Sequence, residues 1–257
     1  MATTVKVRGM ILGQGRPKIC VPIVAAATAE IVAAAEELKS LPADIVEWRA
    51  DWYEDLADLD RVLDTLRQLR QALGEDLPLI FTMRTKKDGG QADLPTDVYI
   101  ALCQAVAAVP GADLLDVEFS AGRETVMAVV ETVHQNEKKA IISSHDFFRT
   151  PEVEEMIGRM QKMQEWGADI TKTAVMPKSR KDVLKLLTAT LMMQEQYADR
   201  PMITMAMAGQ GVISRLSGEI FGSCVTFGCA GQASAPGQLQ VEELDRILET
   251  IHRGLGG

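Results

Sequence analysis

Short apolar runs recur along this chain at steps of roughly 20–35 residues, and each is followed by a stretch with helical spacing. That alternation limits the fold more than any other feature. The runs are KICVPIV (18–24), ADIVEWR (43–49), LPLIFTMR (77–84), ADLLDVEF (112–119), KAIISSHDF (139–147), ADITKTAV (168–175), PMITMAM (201–207) and SCVTFG (223–228). Between them, Ile31, Ala34, Ala35 and Leu38 form a helical stripe in 28–39, and Leu59, Leu63, Leu66, Leu69 and Leu73 form one in 55–73. Comparable stretches cover 96–109, 122–136, 151–166, 178–198, 214–222 and 240–253, with Pro151 suited to a first helical position. Strands separated by helices pair in parallel, because a parallel neighbour needs a long crossover. Eight such units in 257 residues fit an α/β fold of the closed (β/α)8 TIM-barrel type, a single domain over 1–257. An open doubly wound sheet would need a nucleotide-binding glycine fingerprint. Neither DGGQ (88–91) nor GQG (209–211) fits the dinucleotide or P-loop pattern. The leading VKVRGMILGQG (5–15) alternates and carries Gly13 and Gly15, which predicts a short N-terminal β-hairpin within 1–16, closing the bottom of the barrel.

The chain is 47% hydrophobic and 25% charged, ordinary for a soluble globular protein. A net charge of −9 without a long Lys/Arg run opposes a nucleic-acid surface, which needs cations to neutralise phosphates. No run of ~18 apolar residues is present, so no transmembrane helix and no membrane partner are expected. MATTVKVRGM lacks an apolar core with a cleavage site, as a leader would have. Cys20, Cys103, Cys224 and Cys229 are scattered in apolar contexts without metal-ligand spacing, so they read as reduced and packed. Together these features predict a cytoplasmic protein with no metal site.

In a barrel of this type the chemistry gathers at the C-terminal ends of the strands. Those ends carry Glu47 and Arg49, then Thr82 and Arg84, Asp116 and Glu118, Ser143 and His145, and Lys172. Arg215 follows the seventh strand, and Ser234 and Gln238 lie in the Gly/Pro-punctuated loop after the eighth. Taken singly, the Glu/Arg pairs fit a structural ion-pair network as well as a site. Ser234 and Gln238 alone read as loop residues, and His134 and His252 as surface groups on helices. Lys172 is the sharpest signal, since lysine is rarely buried without a partner. Desolvation, with Arg49, Arg84 and Arg215 nearby, would favour the neutral amine, a nucleophile toward carbonyls. A lysine paired with Glu118 or Asp116 across the barrel fits its position equally well. His145, with an imidazole titrating near neutrality, suits a general base. Several arginines imply an anionic substrate. An iminium formed on Lys172 would acidify the adjacent carbon, which points to a lyase or aldolase acting on a small hydroxylated acid.

The segments EWRAD (47–51), FTMRTKKDGG (81–90), SSHDFFRTP (143–151), ADITKTAVMP (168–177), GVISRLSGEIFGS (211–223) and FGCAGQASAPGQL (227–239) resemble, in order, the type I 3-dehydroquinate dehydratases. The resemblance covers nearly the whole chain. It implies a (β/α)8 barrel of the class I aldolase type, usually a homodimer, acting in the shikimate pathway of aromatic amino-acid biosynthesis. The reaction implied is loss of water from 3-dehydroquinate to give 3-dehydroshikimate, with no metal and no cofactor. Lys172 resembles the lysine that forms a Schiff base with the C3 ketone. His145 resembles the general acid/base that takes the C2 proton and assists departure of the C1 hydroxyl. Arg215 resembles the carboxylate-binding arginine, and Glu47, Arg49 and Arg84 the residues that hold hydroxyls and shape the pocket. Ser234 and Gln238 resemble residues of the loop that closes over substrate. Asp88 stands where a glutamate that orients the histidine is expected, one methylene shorter. Pro22 stands where some members have serine, which removes a hydroxyl contact. Rival readings are another Schiff-base aldolase, which would need a phosphate site near the last two strands, and a non-catalytic barrel that senses a metabolite.

Overall fold

The computed structural model describes residues 4–231 and 237–257. Strands β1 (Val5–Val7) and β2 (Met10–Leu12) pair antiparallel, with Val5 opposite Leu12. The chain then runs β3 (Lys18–Ile23), α1 (Thr28–Leu38), β4 (Ile45–Arg49), α2 (Leu59–Leu73), β5 (Leu79–Thr82), α3 (Thr96–Ala108), β6 (Leu114–Glu118) and α4 (Arg123–Gln135). It continues through β7 (Lys139–Asp146), α5 (Val153–Glu165), β8 (Ile170–Val175), α6 (Arg180–Met192), β9 (Met202–Ala206), α7 (Val212–Leu216), α8 (Gly218–Phe221), β10 (Val225–Cys229), β11 (Leu239–Gln240) and α9 (Val241–Gly254). The sheet order is β11-β10-β3-β4-β5-β6-β7-β8-β9, all parallel. Its two sides meet at a parallel bridge between Met202 and Ser223, where Cys224 N donates to Met202 O at 2.8 Å. The curled sheet therefore closes into the expected barrel.

A repeated aspartate sets the ladder where alternate strands begin. The carboxylates of Asp44, Asp113 and Asp169 each accept the backbone N–H of the neighbouring strand, from Ile19, Leu79 and Ala140, at 2.8 Å. Their own N–H groups donate to the carbonyls of those same residues at 2.8–2.9 Å. One residue thus satisfies both polar groups at the strand entrance and pins the register.

Successive strand residues point to opposite faces. Val46, Trp48, Phe81, Leu115, Val117 and Ile142 face outward into the core shared with the helices. Inward, Cys20, Ile45, Ile80, Leu114, Ile141, Ile170 and Ile203 pack with Val5, Val7 and Leu12 of the hairpin. The hairpin therefore plugs the N-terminal end of the barrel. Burying each such aliphatic side chain contributes about 1.5–3 kcal/mol. Its turn is Arg8-Gly9, and Arg8 (φ 49°) reaches Asp113 at 2.8 Å and Glu75 at 2.9 Å. Gly13 is not a hairpin-turn residue: it has φ 91°, and a Cβ there would lie 2.9 Å from Pro201 Cγ.

Four helical expectations shift. Helix α2 buries Val62, Leu66, Leu69 and Leu73, whereas Leu59, its first residue after the Asp58 cap, is exposed. Glu152 keeps an extended backbone (ψ 157°), so α5 begins at Val153 and Pro151 lies ahead of it. The stretch 178–198 is α6 followed by a wider π turn, Met193–Tyr197. The stretch 214–222 splits at Ser217 into α7 and α8.

Candidate active site

Two residues beyond the apolar layer, the inward faces turn polar: Glu47 on β4, Thr82 on β5, Asp116 on β6, Ser143 on β7 and Lys172 on β8, all buried. Another two residues on stand Arg49, Arg84, Glu118 and His145. Charges this deep cost several kcal/mol each unless paired, on the order given by ion desolvation.

The pairing is specific. Lys172 Nζ donates to Asp116 Oδ2 at 2.9 Å and lies 3.4 Å from Glu47 Oε1, with the Phe227 ring centroid 4.6 Å away. Glu47 Oε1 also accepts from Thr82 Oγ1 at 2.8 Å. Of the two surroundings the sequence allows for Lys172, the structure holds the carboxylate pairing, with Asp116: its nearest charges are carboxylates, not arginines. Arg84 Nη2 instead reaches the far oxygen of Asp116 at 2.8 Å, and Arg49 grips Asp51 through two 2.8 Å hydrogen bonds. A buried cation settles against the nearest anion, and Arg49 and Arg84 each have one at 2.8 Å. Arg84 Nη1 also donates to Ser143 Oγ at 2.9 Å and Glu118 Oε1 at 3.2 Å. Burial would raise the Asp116 carboxyl, but the Arg84 and Lys172 cations outweigh it and hold it well below the usual carboxylate range. Burial pulls Arg84 down, yet Asp116 and Glu118 leave it above the ordinary arginine value.

The loop after β5 is anchored by Glu118, which accepts Thr85 N at 2.8 Å and Thr85 Oγ1 at 2.7 Å. Gly89 (φ 81°) and Gly90 are dictated by close approach. A Cβ at Gly89 would lie 2.1 Å from the Phe147 ring, and one at Gly90 would lie 2.1 Å from Arg84 O. This turn carries Asp88 to His145. The Asp88 Oδ2–His145 Nδ1 distance is 3.6 Å, too long for a hydrogen bond, and Nδ1 has no hydrogen-bond partner among the described residues. Burial, then the Arg84 cation, pulls the imidazole down to about 4, with Asp88 opposing. That is below the near-neutral value the sequence suggests, because the ring sits dry beside a cation.

Arg215 is placed by α7, which Ser214 pins to β9: Ser214 Oγ accepts Ala206 N at 2.9 Å and donates to Gly211 O at 2.7 Å. The guanidinium is buried, and burial lowers its pKa to about 10.

Glu47, Arg49, Arg84, Asp88, His145, Lys172, Arg215 and Gln238 all line one cavity of about 270 Å³ at the C-terminal mouth of the barrel. Ser234 lies outside the described residues. Sequence reasoning missed the apolar part of the lining. Ala174, Met205, Met207 and Phe227 follow from the same inward alternation, but Trp52 comes from a single 3-10 turn (Ala50–Trp52) and Gln91 and Phe147 from loops, which carry no such periodicity. The profile of a family described as type I 3-dehydroquinase matches residues 19–254, which takes in this whole cavity.

The chain belongs to the type I 3-dehydroquinase family.

A 3-dehydroquinate dehydratase from Bacillus licheniformis is 52% identical over 255 residues, 99% of this chain and all of that protein. The crystal structure of a family member from Clostridium difficile superposes with a TM-score of 0.96 at 46% identity, covering 99% of this chain and 100% of that one. The structure of a 3-dehydroquinate dehydratase from Enterococcus faecalis gives 0.90 at 39% identity, covering 96% of this chain and 98% of that one.

Proposed function

We propose that this chain is a 3-dehydroquinate dehydratase working through a Schiff base on Lys172. The observation that carries the reading is that Lys172 and His145 face one cavity, with Arg215, in a member of this family. The C. difficile relative is described with covalent modified comenic acid, which supports covalent chemistry for the family member here.

In this reading neutral Nζ attacks the C3 carbonyl, and the carbonyl oxygen takes up a proton to give a carbinolamine. Loss of that hydroxyl as water leaves a cationic imine, an electron sink beside C2. His145, neutral because burial and Arg84 hold its pKa down to about 4, removes the C2 proton. The resulting enamine expels the C1 hydroxyl, which leaves as water with the proton held by the imidazolium. Addition of water to the imine then frees 3-dehydroshikimate and the lysine. The balance is one water lost from substrate.

Arg215 binds the substrate carboxylate, where a desolvated guanidinium attracts an anion strongly. Glu47 and Arg49 hold hydroxyls, and the family resemblance gives Gln238, and Ser234 outside the described residues, to the loop that closes over substrate. Arg84, already tied to Asp116 and Glu118, shapes the pocket floor, and Asp88 orients the His145 ring. The reading extends to one barrel domain over 1–257, acting as a cytoplasmic homodimer. No described helix is long and apolar enough to cross a membrane.

The test is turnover by the purified protein. Added 3-dehydroquinate should give the enone absorbance of the dehydrated product at the usual enzymatic rate, roughly 1–1,000 per second. Enone formation no faster than in buffer would contradict the proposal.

A further inference from the structure

We propose that Asp116 is the counter-ion and positioning residue of Lys172, carrying the positive charge on Nζ from ammonium through imine and aiming the one N–H that the imine keeps. This inference rests on the imine reading and adds to it a residue that never touches substrate.

The geometry makes the two ends of this carboxylate unequal. Oδ1 is held by Ser143 Oγ at 2.5 Å and Arg84 Nη2 at 2.8 Å. Oδ2 points to Nζ at 2.9 Å, closer than the 3.4 Å of Glu47. Locking one oxygen with two donors fixes the direction of the other. The ladder supports that aim, since Ser143 stands directly opposite Lys172 in the β7–β8 pairing. Asp116 is 2% exposed and is not among the residues lining the cavity, so its influence passes through Nζ.

The chemistry needs such a group. The ammonium has three N–H bonds and the cationic imine has one, yet both carry a full charge at the same nitrogen. A fixed acceptor stabilises each without reorganising, the condition under which buried electrostatics contribute most to a rate. Pairing with a carboxylate and service as a nucleophile, which look like alternatives in the sequence, are here two stages of one role.

Asp116→Asn keeps shape and removes charge, leaving Arg84 its contacts to Glu118 and Ser143. The expected kcat falls about 10²–10³-fold, while KM changes little because the cavity wall is untouched. The pH at which borohydride begins to trap the imine moves down by about 1–3 units, since the ammonium has lost its counter-charge. Asp116→Glu restores the charge in a displaced position; its trapping pH returns to near wild type, while kcat stays reduced at unchanged KM.

Wild-type protein is trapped first. Absence of an adduct on its Lys172 overturns the imine reading and this inference with it. A wild-type adduct, with Asp116→Asn matching wild type in kcat and trapping pH, overturns the inference alone. Should Asp116→Asn fail to fold, Asp116→Glu decides: an unchanged kcat overturns the role, and a lowered kcat at constant KM supports it.

Discussion

At the N-terminal end of the barrel interior, Ile45, Ile80, Leu114, Ile141, Ile170 and Ile203 close against Val5, Val7 and Leu12 of the hairpin. Two residues further along the same strands stand Glu47, Thr82, Asp116, Ser143, Lys172 and Met205. Backbone and alternation are identical, and only the chemistry of the inward side chain changes. Below, dispersion and water exclusion reward any close-packed aliphatic. Above, each buried charge needs a named partner at hydrogen-bond distance, so the mouth tolerates few substitutions in place. The proposed function makes this a division of labour along each strand, with the lower residue giving stability and the upper ones reactivity. Asp113 marks the same division at the strand entrances, joining Arg8 of the hairpin to Arg70 of α2 far from the cavity.

The comparison can be broken from either end. The largest effect belongs to His145→Ala, which should lower kcat by about 10²–10⁴-fold while imine formation persists and the melting temperature barely moves. Steady-state kinetics with thermal denaturation checks this. A variant that loses stability but keeps its rate would place His145 with the structural residues. Leu114→Ala tests the opposite end. It should cost about 2–5 kcal/mol of stability in denaturant titration, yet leave kcat of the folded fraction within about twofold, since its contacts are apolar. A large kcat loss without destabilisation would erase the proposed division.

The smallest effect sharpens the mouth itself. With its pKa near 4 instead of the ordinary 6.5, His145 stays neutral in the free enzyme until the pH approaches 4. The acid limb of kcat/KM that it governs therefore lies below 6.5. The sign for stability agrees. His145's contribution is full above 6.5 and is lost as the pH falls toward 4, because the unfolded chain takes up the proton first. Asp88→Glu extends the carboxylate across the 3.6 Å gap, and a hydrogen bond there favours the protonated ring. The limb should move up by under about one unit, with a few-fold change in kcat. A wild-type limb at or above 6.5 would contradict this picture.

Much of this division was legible in the chain. Strand positions follow from eight apolar runs, and i, i+2 spacing identifies Glu47/Arg49, Asp116/Glu118 and Ser143/His145 as inward pairs before any coordinates. What the chain conceals is which charge meets which. Asp116 meets Lys172 from two strands away, a meeting set by barrel stagger, and Arg49 turns to Asp51 just beyond its own strand. Leu59 was misread because periodicity cannot tell a helix's capped first residue from its packed face. Trp52 comes from a single 3-10 turn and Phe147 from a loop, where contacts follow tertiary packing and no repeat exists to read.

The central claim is the covalent role of Lys172. Its most direct test is borohydride reduction in the presence of 3-dehydroquinate, followed by peptide mapping of wild type and Lys172→Met. The account predicts a mass increase confined to the Lys172 peptide in wild type, and neither adduct nor turnover in a folded Lys172→Met protein. Turnover that survives in Lys172→Met, or a wild-type Lys172 peptide left unmodified while dehydration proceeds, would contradict it.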